Sequence, residues 1–566
     1  MVQRYIEHVA AGTPQTEKAR ADQVQNNAGG FVWQVDKWTQ LDRFLLLGVE
    51  GNTYYASERK LTRENAKSVE SCLAEDGPRV VARVVEISDA GRAPKNDSAI
   101  FVLAMAAADA KDKTRAAAFE ALPKVCRIGT HLLHFCAAVS SMRGWGSGLC
   151  AAVSAWYLDK KPEHLAEQVL KYQQRDGWSH KDVLRLSHGT VRGGRELTAA
   201  HAAIFAWLRA GMDSFTERDV VRKSAAGKSR TTHYASPSRA ALPDLLAAYE
   251  DMKHAESAQK VVHLIGRHGF TREMIPTEHL KSADVWAALL EKMPMTAMIR
   301  NLGKMTSIGV LGPLAAGNAK VVDALSNGIL LRKARVHPIA LLSALMVYKQ
   351  GHGEKGKLSW SPVTQIVDAL NDAFYYSFEC VEPTGKAWVL GIDVSGSMGS
   401  GDIAGVPGLT PRMAAAAMAM VTARTEKNWV ALAFTSGSHS YGAPIGSGIT
   451  ELTISPKQRL DDVIATVSGL QFGNTDCALP IMWALEKKLH VDVFATYTDN
   501  ETWAGPIHVH EALKRYRRAI NPKAKLVACA FTADKYSVAD PLDAGSMDIV
   551  GFDTAAPQIL AQFATS

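Results

Sequence analysis

Apolar positions along the chain change their spacing once, and that change divides it. From about Leu61 to Phe378 they recur every three or four residues in segments of roughly 10 to 18, the stripe of an amphipathic helix. Ser98–Ala108, Lys113–Cys126, His131–Val139, Glu163–Arg175 and Ser282–Lys292 are examples, set apart by short Gly, Pro or Ser breaks. Such a helix cannot bury its stripe alone, so the pattern predicts stacked helix pairs, degenerate HEAT-like repeats without a strict sequence period. Ahead of them, residues 1–28 are polar and are expected to be a flexible N-terminus. Phe31-Val32-Trp33-Gln34-Val35 predicts a short strand or extended segment, and Leu41–Leu47 begins a helical or apolar element.

Glu382-Pro383-Thr384-Gly385 marks the boundary. Beyond it, apolar strand runs alternate with helical segments. The strands are expected at Ala387–Val394, Trp429–Thr435, Glu451–Ser455, Val491–Tyr497, Ala524–Phe531 and Met547–Val550. The helices are expected at Pro411–Lys427, Gln458–Val467, Cys477–Leu489, His508–Ile520 and Pro557–Phe563. That order predicts an α/β domain over 383–566 with a mostly parallel sheet and one antiparallel edge, following a helical-repeat module over 29–382.

Composition narrows the class. A chain of 566 residues is too long for one core, and 47% apolar with 21% charged residues is ordinary for a folded protein. No stretch reaches the roughly 18 uninterrupted apolar residues of a membrane helix, and no apolar signal core follows Met1, so a membrane role is not expected. Seven scattered cysteines without C-x-x-C spacing suggest reduced thiols, a cytoplasmic setting and no zinc site. Charge is unevenly shared: residues 381–566 carry 15 Lys+Arg against 18 Asp+Glu, and the preceding 380 carry 49 against 39. A basic helical module suits a polyanionic partner; a merely soluble basic surface is the competing reading.

Chemistry gathers in three loops. The run Ala387-Trp388-Val389-Leu390-Gly391-Ile392 ends in Asp393-Val394-Ser395-Gly396-Ser397, a carboxylate and two hydroxyls at the C-terminal end of a buried strand. Gly473-Asn474-Thr475-Asp476 adds a hydroxyl, and Val491–Thr498 is a second apolar strand ending in Asp499. Oxygen donors of this kind suit a hard divalent cation such as Mg²⁺. Read singly, each would be a turn residue. Together they resemble the metal-ion-dependent adhesion site of a von Willebrand factor A domain. That resemblance gives Asp393, Ser395, Ser397, Thr475 and Asp499 the role of holding the metal directly or through water. An alternative is a metal-dependent nuclease or phosphatase using Asp393, Asp402 and Asp499. Two-metal hydrolysis needs several carboxylates around ions about 4 Å apart, and this donor set is hydroxyl-rich.

The helical module carries a second resemblance. Phe31-Val32-Trp33-Gln34, Glu50-Gly51-Asn52-Thr53-Tyr54-Tyr55, Val125-Cys126-Arg127-Ile128, Gly177-Trp178-Ser179-His180-Lys181-Asp182, Leu184-Arg185-Leu186-Ser187-His188 and Arg300-Asn301-Leu302-Gly303-Lys304-Met305 are similar to strings of the TROVE module of the Ro autoantigen family. The likeness resumes at Val381–Lys386 and Thr498–Thr502. It implies a monomeric ring of helical repeats closed by the Rossmann-like A domain. The hole of such a ring takes single-stranded 3′ ends of misfolded noncoding RNA, and its outer face binds small Y-type RNA. In bacterial relatives a Y RNA tethers the ring to an exoribonuclease, polynucleotide phosphorylase. The family's RNA-contacting positions fall on Lys171, Arg175 and His188.

Spacing suggests how those cations would act. Lys171 and Arg175, at i and i+4, are expected on one helix face where both meet adjacent phosphates. Lys181/Arg185 and Arg185/His188 are spaced four and three apart, with His180 beside them, and Arg127 and His131 near a helix start are further candidates. A solvated helix face is the plain alternative. Trp178 and Trp33 read as core residues. Two breaks stand out, Gly189–Arg195 and the basic stretch Arg222–His233, which is expected to be an irregular, polyanion-contacting loop, and the segment from Gly189 to His254 departs from the family pattern. Its Gly227-Lys228-Ser229 is not a phosphate loop, because position 222 is Arg and no apolar strand leads into it.

Overall fold

A computed structural model describes residues 12–48, 61, 66–187, 197–216, 218–223, 229–234, 237–353, 357–378, 382–401, 403, 409–436, 448–470, 473–532 and 535–566. His188, the Gly189–Arg195 break, the Glu50–Tyr55 string and Asp402 lie outside them.

Helices dominate from Lys37 to Tyr376 and end where local chemistry ends them. Helix Lys37–Leu47 opens at Asp36, whose carboxylate accepts from the backbone N–H of Trp38 and Thr39, and closes at Gly48 with φ 101°. Helix Lys67–Ala90 breaks at Asp76 (φ −144°, ψ 85°), two residues before Pro78, as a proline inside a helix requires. At that break Gly77 lies so close to Thr114 that an added Cβ would meet its hydroxyl at 2.1 Å, so only glycine fits. Each early helix packs on the next but one: Lys67–Ala90 on Asp112–Val125, Asp97–Ala107 on Gly129–Met142, Asp112–Val125 on Ser147–Leu158. This alternation stacks helical pairs, the solution the apolar stripes demanded.

The strands are β1 (Val24–Gln25), β2 (Phe31–Gln34), β3 (Gln174–Arg175), β4 (Trp178–Ser179), β5 (Arg218–Lys223), β6 (Ser229–Tyr234), β7 (Ala387–Asp393), β8 (Asn428–Phe434), β9 (Ile449–Glu451), β10 (Val493–Thr498), β11 (Lys525–Ala530), β12 (Tyr536–Ser537) and β13 (Ser546–Val550). The main sheet runs β13-β11-β10-β7-β8-β9, parallel except for β9 against β8. Its two faces enter two apolar cores. Trp388, Leu390 and Ile392 of β7 join a cluster continuous with the helical repeats, while Val389 faces a second one with Phe434, Phe494 and Leu526.

The C-terminal domain touches both ends of the helical run and so closes a ring. Toward the early helices, Arg43 reaches both oxygens of Asp548 (2.6 and 2.7 Å) and the carbonyl of Tyr536 (2.9 Å), and Arg92 pairs with Asp553. Toward the late helices, Asn371 Oδ1 accepts from the N–H of Leu460 at 2.9 Å, Lys349 pairs with Asp461, and Arg459 pairs with Asp368. The two helical ends also meet directly: Arg335 donates to the carbonyl and carboxylate of Asp89 at 2.7 and 2.6 Å.

Two expectations are corrected. From residue 12 onward the N-terminal segment is not loose. Gln15, Gln23 and Asn26 are buried, Val32 enters the second core, and β2 pairs antiparallel with β12 (Trp33↔Ser537). Its polar side chains serve hydrogen bonds to the C-terminal domain, which polarity alone does not reveal. Where it is described, at 222–223 and 229–233, the basic stretch is not irregular either. β5 and β6 pair antiparallel with Val221↔Thr231 and Val220↔Thr232, so β-branched residues occupy facing register positions.

Candidate functional sites: a metal centre and two basic surfaces

The three chemistry-bearing loops meet at the C-terminal ends of β7 and β10. Asp393, Ser395, Ser397, Thr475 and Asp499 are all buried there. Asp393 accepts from the N–H of Ser395 (2.8 Å) and the hydroxyl of Thr498 (2.7 Å); the hydroxyls of Ser395 and Ser397 are 3.1 Å apart. Asp499 accepts at Oδ1 from the N–H of Glu501 (3.1 Å), while its Oδ2 is buried with no hydrogen-bond partner among the described residues. Burial raises the pKa of Asp393, and Asp499 raises it further; burial likewise raises Asp499. Two desolvated carboxylates with an orphaned oxygen and three hydroxyls form a site that a hard dication fits. Among the described residues no three His, Cys, Asp or Glu side chains cluster as metal ligands.

Sequence reasoning missed the residues that shape this centre. Arg412, buried in helix Pro411–Thr425, donates to the carbonyls of Val394 (2.7 Å) and Ser395 (2.8 Å) and so holds the first loop. The N-terminal segment clamps the other two. Gln15 donates to Asp476 (2.8 Å) and accepts from Thr502 (2.5 Å). Asn26 donates to the carbonyls of Asn500 (3.2 Å) and Thr502 (2.9 Å), and Glu501 accepts from Asn27 (2.6 Å) and from the N–H of Ala28 (3.0 Å). Asn500 sits in the left-handed region (φ 64°), which asparagine tolerates. No local pattern marks Gln15 or Asn26; their partners are more than 400 positions away.

The predicted basic surface divides. Lys171 is the last residue of helix Pro162–Lys171, so Arg175 is not on its helix face: it lies in β3, opposite Trp178 of β4, across a turn at Asp176 (φ 51°) and Gly177 (φ 76°). The expected i, i+4 geometry is therefore corrected, and Asp176-Gly177 was the turn signal that announced it. Arg175 remains exposed, with Nε 3.3 Å from Nε2 of His134. Lys181 and Arg185 are exposed on helix His180–Ser187, one turn apart as expected.

His180 does not belong to this surface. It is 1% exposed, bonded to the hydroxyl of Tyr157 at 2.8 Å, and burial pushes its pKa down to about 4, so it is neutral and walled off from phosphate. His131 is also neutral, held near 4 by burial. Arg127 is turned inward, donating to Ser88 Oγ (3.1 Å), the Ser88 carbonyl (3.1 Å) and the Lys124 carbonyl (2.8 Å). Gly129 brings these segments together: its N–H donates to Gln168 at 2.9 Å, and an added Cβ would strike Tyr172 and His180. Among the described candidates, Lys171, Arg175, Lys181 and Arg185 keep a cationic outward role.

A second basic surface was not anticipated. A cleft of about 820 Å³ is lined by Lys95, Arg272, Lys281, Arg300, Lys304 and Arg335, and no Asp or Glu lines it among the described residues. Arg272, Lys281, Arg300 and Lys304 line it and form no ion pair among those residues. Arg300 and Lys304 are spaced i, i+4 on helix Met295–Ser307, the signal that had been read at Lys171 and Arg175.

Comparison with known proteins matches this layout. The TROVE domain model matches residues 24–346 and the Ro60 vWA domain model residues 387–564. The chain is 38% identical over 553 residues to the RNA-binding protein RO60 of Deinococcus radiodurans, covering 97% of each. It is 38% identical over 602 residues to the RNA-binding protein RO60 of Caenorhabditis elegans, covering 97% of this chain and 91% of that one. The crystal structure of the Deinococcus radiodurans Ro (RSR) protein aligns with a TM-score of 0.66 at 36% identity, over 94% of this chain and 99% of that one. Among the described residues no helix is long and apolar enough to cross a membrane.

Proposed function

The chain belongs to the Ro family of TROVE and von Willebrand factor A proteins, and from that premise we propose that it is an RNA-binding scaffold whose basic cleft takes the single-stranded 3′ ends of misfolded noncoding RNA. The observation that carries this reading is the cleft itself: four cations without ion pairs and no lining carboxylate among the described residues. Such a lining attracts the phosphate backbone and is indifferent to sequence. That suits partners that share an exposed end and little else.

The outer cations Lys171, Arg175, Lys181 and Arg185 supply a second, separate surface for a folded Y-type RNA. Asp393, Ser395, Ser397, Thr475 and Asp499 would hold one Mg²⁺ or similar cation, which supplies positive charge that lets both carboxylates ionise and leaves a position for an acidic group of a partner. One hydroxyl-rich site suits ligand capture rather than two-metal hydrolysis, so the protein acts as a monomeric cytoplasmic ring without catalysis of its own. Degradation then falls to an exoribonuclease partner such as polynucleotide phosphorylase.

The test is a structured RNA with a single-stranded 3′ tail against its blunt counterpart across a salt series, with RNA integrity followed on gels. Tail-dependent binding is expected. With four phosphates neutralised, log K should fall with log salt at a slope of roughly −3, from about −0.7 per contact on a single strand. Arg300→Ala/Lys304→Ala should remove about 1.4 from that slope. Equal binding of both RNAs, unaffected by that double variant, would remove the cleft from the function.

A further inference from the structure

The exposed cation Arg175 is tethered at one point. Its Nε lies 3.3 Å from Nε2 of His134, and Nδ1 of the same ring lies against a carboxylate oxygen of Asp176. The two contacts together fix the imidazole. Asp176 accepts the proton on Nδ1, which leaves Nε2 bare and able to accept from the Nε–H of Arg175. The other oxygen of Asp176 stands 3.7 Å from that same Nε. Three side chains thus close on one another, with His134 half-buried on helix Gly129–Met142 and Arg175 reaching outward from the group.

The backbone around the group holds it in register. Asp176 and Gly177 are both in the left-handed region, at φ 51° and 76°, and turn β3 back onto β4 so that Arg175 pairs with Trp178. The indole of Trp178 stacks on that of Trp145, with centroids 5.9 Å apart and planes 22° from parallel. Trp145 in turn donates from Nε1 to Ser140 Oγ at 2.9 Å, on the same helix as His134. The hairpin that carries Arg175 is therefore tied at a second point to the helix that carries His134. An ion pair made for stability alone would dock the guanidinium fork on the carboxylate. Here the imidazole takes Nε instead, and neither Nη1 nor Nη2 has a partner among the described residues.

We propose that His134, oriented by Asp176, is a positioning residue for RNA: it holds Arg175 by Nε so that the two Nη groups meet a phosphate of a folded RNA end-on. The proposal rests on the reading of Arg175 and its neighbours as the outer RNA surface. A long side chain that is mobile in the free protein loses rotamer freedom on binding, and that loss weakens the complex. Arg175 is ordered beforehand, so its contact keeps more of its strength. The planar fork makes the orientation matter, because two parallel N–H bonds to one phosphate form in only one setting of the plane. A carboxylate docked on the fork would compete with the phosphate for it. The imidazole accepts at Nε and leaves the outer edge open.

The experiment uses the full chain and a blunt-ended stem-loop RNA, which offers the cleft no free tail. Affinity is read by fluorescence anisotropy for wild type, His134→Ala, His134→Gln, Asp176→Asn, Arg175→Ala and His134→Ala/Arg175→Ala. Arg175→Ala should weaken binding about ten-fold, the loss of one charge-assisted contact. His134→Ala should weaken it roughly five-fold, within the cost of ordering one long side chain, yet change nothing further once Arg175 is alanine. His134→Gln, whose amide oxygen can stand where Nε2 accepts, should recover most of that loss. Asp176→Asn keeps a residue that tolerates positive φ and removes a negative charge beside the phosphate. Charge alone predicts tighter binding by this variant; positioning predicts binding weakened several-fold. Wild-type affinity for His134→Ala, the same loss from His134→Ala with or without Arg175, or tighter binding by Asp176→Asn would overturn the positioning role and leave Arg175 standing. Wild-type affinity for Arg175→Ala would overturn the outer-surface reading and the role of His134 with it.

Discussion

The ring of His337 bridges two parts of the helical module, its Nε2 donating to the carbonyl of Arg92, 245 positions earlier, at 2.8 Å. The other ring nitrogen, Nδ1, accepts from the N–H of Ile339 at 3.1 Å and caps helix Pro338–Gln350. Both bonds together require a neutral imidazole with its proton on Nε2.

Acid should therefore loosen this junction. Burial holds the pKa of His337 down to about 4, below the ordinary value of 6.5. Between those values the unfolded chain binds a proton that the folded one refuses. The contribution is whole above about pH 6.5 and is lost as pH falls toward 4, amounting to roughly 3 kcal/mol. Urea unfolding of wild type and His337→Asn at pH 7.5, 5.5 and 4.5 checks this. The variant should be less stable at pH 7.5, with a dependence on pH shallower by about one proton. Parallel curves would show that His337 does not titrate on unfolding.

Arg43 and Asp548 form the most buried ion pair across the closure, with Arg43 wholly covered. Removing one partner strands the other charge in a desolvated place, so Asp548→Ala should cost about 3–5 kcal/mol. Arg43→Met removes the charge and keeps much of the volume, and should cost less. Denaturant unfolding would separate the two. A smaller loss for Asp548→Ala than for Arg43→Met would mean that the pair contributes by packing rather than by charge.

Metal-free protein should grow less stable as pH rises, because Asp393 and Asp499 have folded pKa values above their unfolded ones and must ionise side by side. A bound dication reverses that cost, so Mg²⁺ or Mn²⁺ should raise Tm more at pH 8 than at pH 5. At one hundred times Kd the gain is about 2.7 kcal/mol. Asp499→Asn should abolish the gain while leaving salt-sensitive RNA binding in place. Differential scanning fluorimetry with EDTA as reference reads both arms, and an equal metal response in the variant would move the site elsewhere.

Gln15 and Asn26 touch the loops on either side of the metal residues rather than the metal residues themselves. Partners of this kind typically govern metal affinity by 10–100-fold. Gln15→Ala/Asn26→Ala should weaken Mn²⁺ binding by about that factor, followed by electron paramagnetic resonance of free Mn²⁺. Thr13→Ala is the control: its bonds go to Glu511, so it should leave Mn²⁺ affinity unchanged.

Features carried by neighbours in the chain were legible. Asp393, Ser395 and Ser397 share one loop after one strand, and their convergence with Thr475 and Asp499 follows from parallel strands that place their C-terminal ends side by side. The helical repeats were legible because an apolar stripe has one purpose. What escaped were relations set by distant packing. His180 reads as a cation beside Lys181, yet its ring is claimed by Tyr157. Lys171 and Arg175 have the spacing of one face, but the helix stops between them, and a spacing argument holds only while the helix lasts. Arg300 and Lys304 share one helix and were named within a family-like string but not as RNA contacts, because the cleft they border is not visible in that string. Gln15 and Asn26 look like tail residues because polar side chains buried against a distant surface leave no periodic trace.

The bond from Arg43 to the carbonyl of Tyr536 spans 493 positions. On a ribosome adding roughly 5–20 residues per second, about 25 to 100 s separate the emergence of the two groups. Throughout that interval β2 has an unsatisfied edge, and Arg43 has no acceptor from the closing domain. The nascent chain is thus a helical solenoid with its first strand waiting, exposed to any foreign strand or chaperone that meets it. Closure cannot precede the synthesis of Tyr536, and a chain cut short before that residue would be rich in helix and could never become a ring.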